Sequence, residues 1–264
     1  MKVQFVYPRF ERHAQSHPEL KEAVPCDEYL GGPSLGMASL AAVTPKHVEV
    51  AFHDDRLKPF SLDLEADLYA LSFFTPAATR AMAIGDMLRA AGKKVVAGGI
   101  FPTMMPHVAQ EHFDSIVVGE GEGVWPGLLE DAAKGQLRPR YDADVNYDVA
   151  NLPPPNIDMY VDAEDPDLHP DDYPLQTSRG CPLTCDACVL PGVMRNKLRL
   201  IPEKTMITAL ADLARRGKRA ALTEDTSFFF FSGARRHFRS FLEGLKQDPR
   251  PRGEKVSYIG ISMP

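Results

Sequence analysis

Thr177-Ser178-Arg179-Gly180-Cys181-Pro182-Leu183-Thr184-Cys185-Asp186-Ala187-Cys188 sets three thiols within eight residues, in Cys-x3-Cys-x2-Cys spacing. Three thiolates so spaced can hold three irons of a cubane cluster and leave a fourth iron without a protein ligand. Thiolates are soft donors, which suits iron-sulfur chemistry. Zinc is the main rival. A closed structural zinc site wants four ligands, and the candidates for the fourth are His169, in an acidic stretch, and Cys26, far away in sequence. Three unrelated thiols are the remaining reading. The chain has four cysteines, and their layout is not that of a disulfide framework. Clustered cysteines in a cytosolic chain more often bind metal.

Strand-like and helix-like segments alternate on both sides of this loop. Before it, Val3–Tyr7 is a β-prone run, and Ser34–Thr44 is a small-residue helix with Pro33 suited to its start. His47–His53 alternates around Val48, Val50 and Phe52, and Leu68–Phe74 is apolar enough for a buried strand. Ala78–Ala91 carries Ile84, Met87, Leu88 and Ala91 at helical spacing, with Gly92 as its stop. Lys94–Ala97 runs into Gly98-Gly99, and Ser115–Val118 runs into Gly119-Glu120-Gly121-Glu122-Gly123. A helix over Val124–Lys134 follows. Leu175–Ser178 predicts the strand that enters the cysteine loop. After the loop come a helix at Pro202–Arg216 ending at Gly217, a strand at Ala220–Thr223, a helix at Gly233–Lys246 and a strand at Val256–Ile261. This order predicts an α/β fold with a parallel sheet covered by helices on both faces.

Residues 141–174 differ in kind: they hold six prolines, ten acidic residues and no Lys or Arg. Pro153-Pro154-Pro155 cannot continue a helix or a central strand, so the stretch reads as an extended linker between a domain at 1–140 and another at 175–264. Charge divides the same way. Residues 1–174 carry 14 Lys+Arg against 28 Asp+Glu, and residues 175–264 carry 16 against 8. Two differently charged solvated faces would explain this; so would a second part that handles anionic groups or pairs with the acidic first part. Hydrophobic residues are 44% and charged residues 25%, as in a globular protein. No apolar run reaches the ~20 residues that span a bilayer, and MKVQFVYPRF lacks the apolar core of a signal peptide. The chain reads as cytoplasmic.

Thr177–Cys188, followed by a helix and then Leu222-Thr223-Glu224-Asp225, resembles the radical S-adenosylmethionine superfamily. The resemblance implies that Cys181, Cys185 and Cys188 ligate a 4Fe-4S cluster whose open iron chelates S-adenosylmethionine, and that electron transfer yields a 5′-deoxyadenosyl radical. It also implies that Glu224 and Asp225, at the end of the second barrel strand, contact the amino group of S-adenosylmethionine through a charge-assisted hydrogen bond. A helix N-terminal acid is the plainer reading of that pair. The residue before the third cysteine is usually aromatic in this family; here it is Ala187. Arg179 reads either as a neutraliser of the cluster's anionic surroundings or as a surface cation.

The first domain resembles the Rossmann-like cobalamin-binding domain that precedes the barrel in one branch of that superfamily. Three stretches carry the likeness. Pro33-Ser34-Leu35-Gly36 resembles the first helix. Ser72-Phe73-Phe74-Thr75-Pro76 resembles the strand end that contacts the lower base. Gly98-Gly99-Ile100-Phe101-Pro102-Thr103 and Val118-Gly119-Glu120-Gly121-Glu122 resemble the loops lining the nucleotide tail. Ser72, Thr75, Gly98, Gly99, Gly119 and Glu120 are therefore candidate cobalamin contacts. Glycines there let the backbone approach a ligand, although Gly-Gly after a strand is also an ordinary tight turn. The Asp-x-His-x-x-Gly motif of many cobalamin proteins is absent, and His13 and His17 do not fit it. The resemblance implies base-off cobalamin with no histidine on cobalt.

Together these likenesses imply an enzyme. The leading activity is cobalamin-dependent methyl transfer to an unactivated carbon of a small molecule, with an external electron donor such as flavodoxin or ferredoxin. A cyclase or another radical rearrangement belongs to the same branch. A methylthiotransferase is disfavoured, because the first domain has only Cys26 and no RNA-binding module is evident; nucleic acid is not an expected partner. The family's barrel has six strands, and the 90 residues after Pro174 hold about three strand–helix units. The expectation is a partial barrel, from a fragment, a natural short form or half of an assembly, and a non-catalytic cobalamin or iron-sulfur binding protein is the alternative.

Overall fold

The computed structural model describes residues 1–10, 19, 31–143, 147–165, 167, 169–170, 172–186, 188–194, 197–224, 231–250 and 258–262, and of 191, 223, 224 and 258–262 the backbone alone. The chain forms two compact units. One comprises Met1–Leu30, Val43–Asp144 and Asp162–Pro170; the other comprises Gly31–Ala42, Val145–Val161 and Asp171–Pro264. Among the described residues no helix is long and apolar enough to cross a membrane.

The first unit is built on a six-stranded sheet of order β2-β1-β3-β4-β5-β6. Its strands are β1 (Lys2–Tyr7), β2 (Glu49–Asp54), β3 (Leu68–Ser72), β4 (Val95–Gly98), β5 (Ser115–Val118) and β6 (Arg140–Asp142). Every pairing is parallel. Val3, Phe5, Tyr69, Val95, Ala97 and Ile116 are fully buried; strands covered on both faces need such near-continuous apolar runs. The helix Ala78–Ala90 turns Ala81, Ile84, Gly85 and Leu88 inward, the i, i+3, i+4, i+7 stripe of a helix on a core. A Cβ at Gly85 would lie 2.7 Å from the His112 carbonyl oxygen and 2.7 Å from the Phe113 ring, so close packing of this helix against the Pro106–His112 helix requires glycine.

β6 departs from the sequence expectation. Tyr141 is the single apolar anchor in its three residues, buried to 2%, and the acidic stretch around it read as a linker. Tyr141 donates to Asp131 at 2.8 Å, and Arg138 lies 4.1 Å from its ring centroid. Two further helices, Ile100–Met104 and Pro106–His112, fill a span that the sequence pattern left without an element.

The second unit holds a parallel sheet of order β11-β10-β7, with β7 at Asp172–Gln176, β10 at Arg219–Glu224 and β11 at Tyr258–Ser262. A short antiparallel pair, β8 (Ser178–Arg179) with β9 (Arg199–Leu200), brackets the cysteine loop. The helix Glu203–Arg215 buries Met206, Ile207, Leu210 and Leu213, and Gly244 of the helix Ser232–Gln247 comes close to Ile207. The small-residue helix Leu35–Ala42, which the likeness set in the first domain, groups with this unit. Tyr160 fixes it there: its hydroxyl donates to the Ser34 carbonyl at 2.7 Å, accepts from the Ala38 N–H at 3.0 Å, and its ring stacks on Tyr173. Gly31 bridges Asp172 in parallel, and a Cβ on Gly32 would meet the Asp172 carbonyl oxygen at 2.8 Å.

One buried ion pair locks the β2 end of the first sheet. Asp55 is 1% exposed. It accepts two hydrogen bonds from Arg80 at 2.7 Å and one each from the Phe60 and Arg9 N–H groups. Burial works against its charge, but Arg80 and the two amides outweigh that and hold the carboxyl below its usual range. Replacing Arg80 by Met leaves a buried carboxylate with two amides and no cation. The expected cost is about 3 kcal/mol, the low end for a broken buried pair. A depressed carboxylate stabilises above about pH 4 and loses its contribution as pH falls through the lowered value. Urea unfolding should therefore separate wild type from Arg80→Met at neutral pH, with the gap closing toward acid.

Candidate functional site

Parallel pairing in the first unit brings the ends of β3, β4 and β5 to one edge. The strand order places a switch point between β1 and β3, and ligands of such sheets bind beyond the carboxyl ends of the strands. Ser72 is in register with Gly98. Beyond them the Phe73 N–H donates to the Gly98 carbonyl at 3.2 Å, and the Phe101 N–H donates to the Phe73 carbonyl at 3.2 Å. Gly99 has φ 97° and ψ −168°, a region open to glycine and strained for other residues. A Cβ there would meet the Phe73 carbonyl oxygen at 2.8 Å, the Phe73 nitrogen at 2.9 Å and the Ser72 Oγ at 2.9 Å. The loops after β3 and β4 interlock too closely for any side chain. Gly119 has φ 93°, and a Cβ on it would sit 3.3 Å from the Ala143 Cβ.

Gly98, Gly99, Gly119, Glu120 and Ser72 are half-buried, and Thr75 is exposed at the start of a short 3-10 turn. Six candidate cobalamin contacts thus lie on the loops of three adjacent strands. At Gly99 main chain packs directly against main chain and the Ser72 hydroxyl, and the Phe73 and Phe101 rings stack beside it. Thr103 closes the Gly98–Thr103 stretch and has no role in the sequence expectation. Its hydroxyl donates to the Gly99 carbonyl at 2.8 Å and accepts the Gly119 N–H at 3.0 Å.

In the second unit, β7 leads into β8 and then to Gly180, at φ 78°. A Cβ on Gly180 would collide with the Lys197 carbonyl oxygen. The Ile201 N–H donates to the Thr177 carbonyl at 2.9 Å, so the base of the cysteine loop is fastened on both sides. Nothing in the spacing of the cysteines signals either the β8–β9 pair or the need for glycine at 180. Cys181 is buried, Cys185 and Cys188 are exposed, and none of the three is in a disulfide. The Cys188 N–H donates to the Cys185 carbonyl at 3.0 Å, a turn between the second and third cysteines. Arg179 is 6% exposed, with Nε on the Gln176 side chain at 3.0 Å; it is not a surface cation.

Three thiols on one loop are the donor chemistry of a thiolate-held cluster. Among the described residues, however, no group of three or more His, Cys, Asp or Glu side chains is gathered as a metal site. His169, the zinc reading's fourth ligand, groups with the first unit and faces the Pro170 carbonyl at 3.3 Å. Glu224 is the last residue of β10, in backbone register with Ser262. Asp225, Ala187, Cys26, His13 and His17 lie outside the described residues.

Residues 29–129 match the B12 binding domain family. Over 185 residues, 65% of this chain and 39% of the relative, the sequence is 31% identical to bacteriochlorophyllide d C-8(2)-methyltransferase of Chlorobaculum tepidum. The solved structure of OxsB, a cobalamin-dependent S-adenosylmethionine radical enzyme with aqua-cobalamin bound, shares the fold over 97% of this chain and 38% of its own. The TM-score is 0.70 and the identity 19%. The radical S-adenosylmethionine methyltransferase TsrM of Kitasatospora setae matches over 94% of this chain and 52% of its own, at TM-score 0.64 and 16% identity. The chain spans under half the length of the curated relatives it matches. The chain thus carries a B12 binding domain at residues 29–129 and shares its fold, over nearly its whole length, with solved cobalamin-dependent radical S-adenosylmethionine enzymes.

Proposed function

We propose that this chain is the cofactor-binding part of a cobalamin-dependent radical S-adenosylmethionine enzyme that transfers a methyl group to an unactivated carbon of a small molecule. One observation carries the reading. A three-cysteine loop leaves the carboxyl end of the first strand of a parallel sheet, in a chain whose residues 29–129 match the B12 binding domain. The methyltransferase named above supports the reaction type. The working division is a cobalamin-binding domain at 1–140, an acidic connection at 141–174 and a partial barrel at 175–264.

In this reading Cys181, Cys185 and Cys188 hold a 4Fe-4S cluster, and Glu224 and Asp225 bind the S-adenosylmethionine amino group. Ser72, Thr75, Gly98, Gly99, Gly119 and Glu120 seat cobalamin base-off. When bound, the cluster supplies the electron that cleaves S-adenosylmethionine, and the cobalamin supplies the methyl group. The protein's own part is to orient these groups and exclude side reactions. The interlocked loops at Gly99 present main chain to the cofactor. Gly180 and the β8–β9 pair anchor the cysteine loop, and the buried Arg179 guanidinium puts positive charge two residues before the first cysteine. An external flavodoxin or ferredoxin delivers the electron.

Anaerobic reconstitution should give iron and sulfide near about four per chain, with thiolate-to-iron absorption, and Ala at any one of the three cysteines should abolish it. Stoichiometric zinc without sulfide would refute the cluster. Co(II) cobalamin bound to the chain should show no axial nitrogen hyperfine splitting in electron paramagnetic resonance; clear splitting would refute the base-off state. Gly180→Ala should cost about 1–3 kcal/mol through its positive φ and the Lys197 carbonyl. It should also turn Cys181 from the slowest of the three thiols toward a thiol reagent into one as fast as Cys185 and Cys188. Unchanged Cys181 reactivity in a folded Gly180→Ala protein would show that the loop does not depend on this glycine.

A further inference from the structure

Thr103 makes two hydrogen bonds with one hydroxyl, and they join different loops. Its single proton goes to the Gly99 carbonyl at 2.8 Å, in the loop after β4. Its lone pair takes the Gly119 N–H at 3.0 Å, in the loop after β5. The first bond alone would be unremarked, because threonine often bonds back to a carbonyl one turn earlier in a helix, and the Thr103 N–H also donates to the Gly99 carbonyl at 3.2 Å. The second bond spans 16 residues of sequence and ends on a residue at positive φ, where the chain has left the β5 ladder. With the hydroxyl proton committed to Gly99, the oxygen can offer Gly119 only an acceptor. The two bonds are therefore directional and fix the distance between two glycine loops.

These are the loops that the cobalamin reading assigns to the nucleotide tail. The loop after β4 is fixed on its other side by contact of Gly99 with Ser72 and Phe73. The loop after β5 is fixed to β6, where the Ala143 N–H donates to the Val118 carbonyl at 2.8 Å. Between them, the Thr103 side chain ties one loop to the other.

We propose that Thr103 is a positioning residue for the cofactor, its hydroxyl setting the width of the slot between the Gly98–Gly99 and Gly119–Glu120 loops. The inference rests on the cobalamin reading of this edge. Val is nearly isosteric with Thr and lacks the hydroxyl, so Thr103→Val frees the Gly119 N–H and one bond to Gly99 while keeping the packing. Thr103→Ser keeps both bonds.

The test titrates hydroxocobalamin into the full 264-residue chain, followed by the cobalamin absorption bands. Hydrogen exchange at the Gly119 amide of the apoprotein is read in parallel. Thr103→Val should bind roughly tenfold more weakly and exchange Gly119 faster, with the thermal midpoint close to wild type. Thr103→Ser should restore both readouts to near the wild-type values. Wild-type affinity and wild-type Gly119 protection in Thr103→Val would overturn the proposal. So would a serine variant as weak as the valine variant, because the methyl group rather than the hydroxyl would then matter. A wild-type chain that takes up no hydroxocobalamin would overturn the cofactor reading itself, and this role with it. That outcome is visible in the wild-type titration alone, before any variant is compared.

Discussion

Parallel pairing is the constraint on which the chain's arrangement depends. In a parallel sheet every strand must return across a face before the next can pair, so the carboxyl ends collect at one edge and the loops leaving them become neighbours. Ser72 opposes Gly98, and Val118 opposes Asp142. The three loops beyond β3, β4 and β5 start at nearly one level, and residues far apart in sequence share one lip. The second sheet obeys the same rule. Gln176 opposes Thr223 and Glu224 opposes Ser262, so the cysteine loop and the end of β10 emerge from the same edge of that sheet.

Crowding at such an edge has to be relieved by residue choice. At Gly99 the relief is complete, since the nearest atoms to a Cβ are backbone atoms of Phe73 and cannot swing aside. Polar groups that the tight turns take out of the ladder still need partners. Thr103 supplies them for Gly99 and Gly119, and the Gly98 carbonyl takes the Phe73 N–H. Asp55 does similar work at the β2 end, where its two oxygens take two amides and a bidentate guanidinium. The exposed pairs, such as Lys134 with Glu130 or Lys93 with Glu65, are of the kind that contributes little. What shapes the edge is at least partly buried and directional.

The sequence was most legible where periodicity and burial coincide. Val3–Tyr7, Leu68–Phe74 and Ser115–Val118 read as strands because both faces of the sheet are covered and the runs are apolar. Ala78–Ala91 read as a helix because its stripe faces the sheet. β6 escaped because one tyrosine does the burying in a stretch whose charge and prolines speak for solvent. β8 and β9 escaped because two-residue strands have no period. The cysteines could be read from spacing, but Gly180 could not, since its necessity comes from the Lys197 carbonyl, a contact across 17 residues. Pro33-Ser34-Leu35-Gly36 was recognised as a helix start, yet its place in the second unit follows from hydrogen bonds to Tyr160, which no local pattern announces.

The cysteine loop shows how far the fold alone carries the site. Its base is fixed by the β8–β9 pair, the Ile201–Thr177 bond and the buried Cys181. Toward its tip, Cys185 and Cys188 are exposed, as are Leu183 and Val189, at 42% and 38%. A local turn from Cys185 to Cys188 brings two thiols onto one short segment but does not bury them. Gathering three thiolates costs loop entropy and charge repulsion, and metal–thiolate bonds are strong enough to meet both costs, which is why metal binding and local folding are coupled in such sites. Under the proposed cluster assignment the fold would set where the first cysteine stands, and a bound cluster would set the other two. Burial of Leu183 and Val189 would then accompany cluster assembly, because the thiolates draw the apolar neighbours of Cys185 and Cys188 in with them.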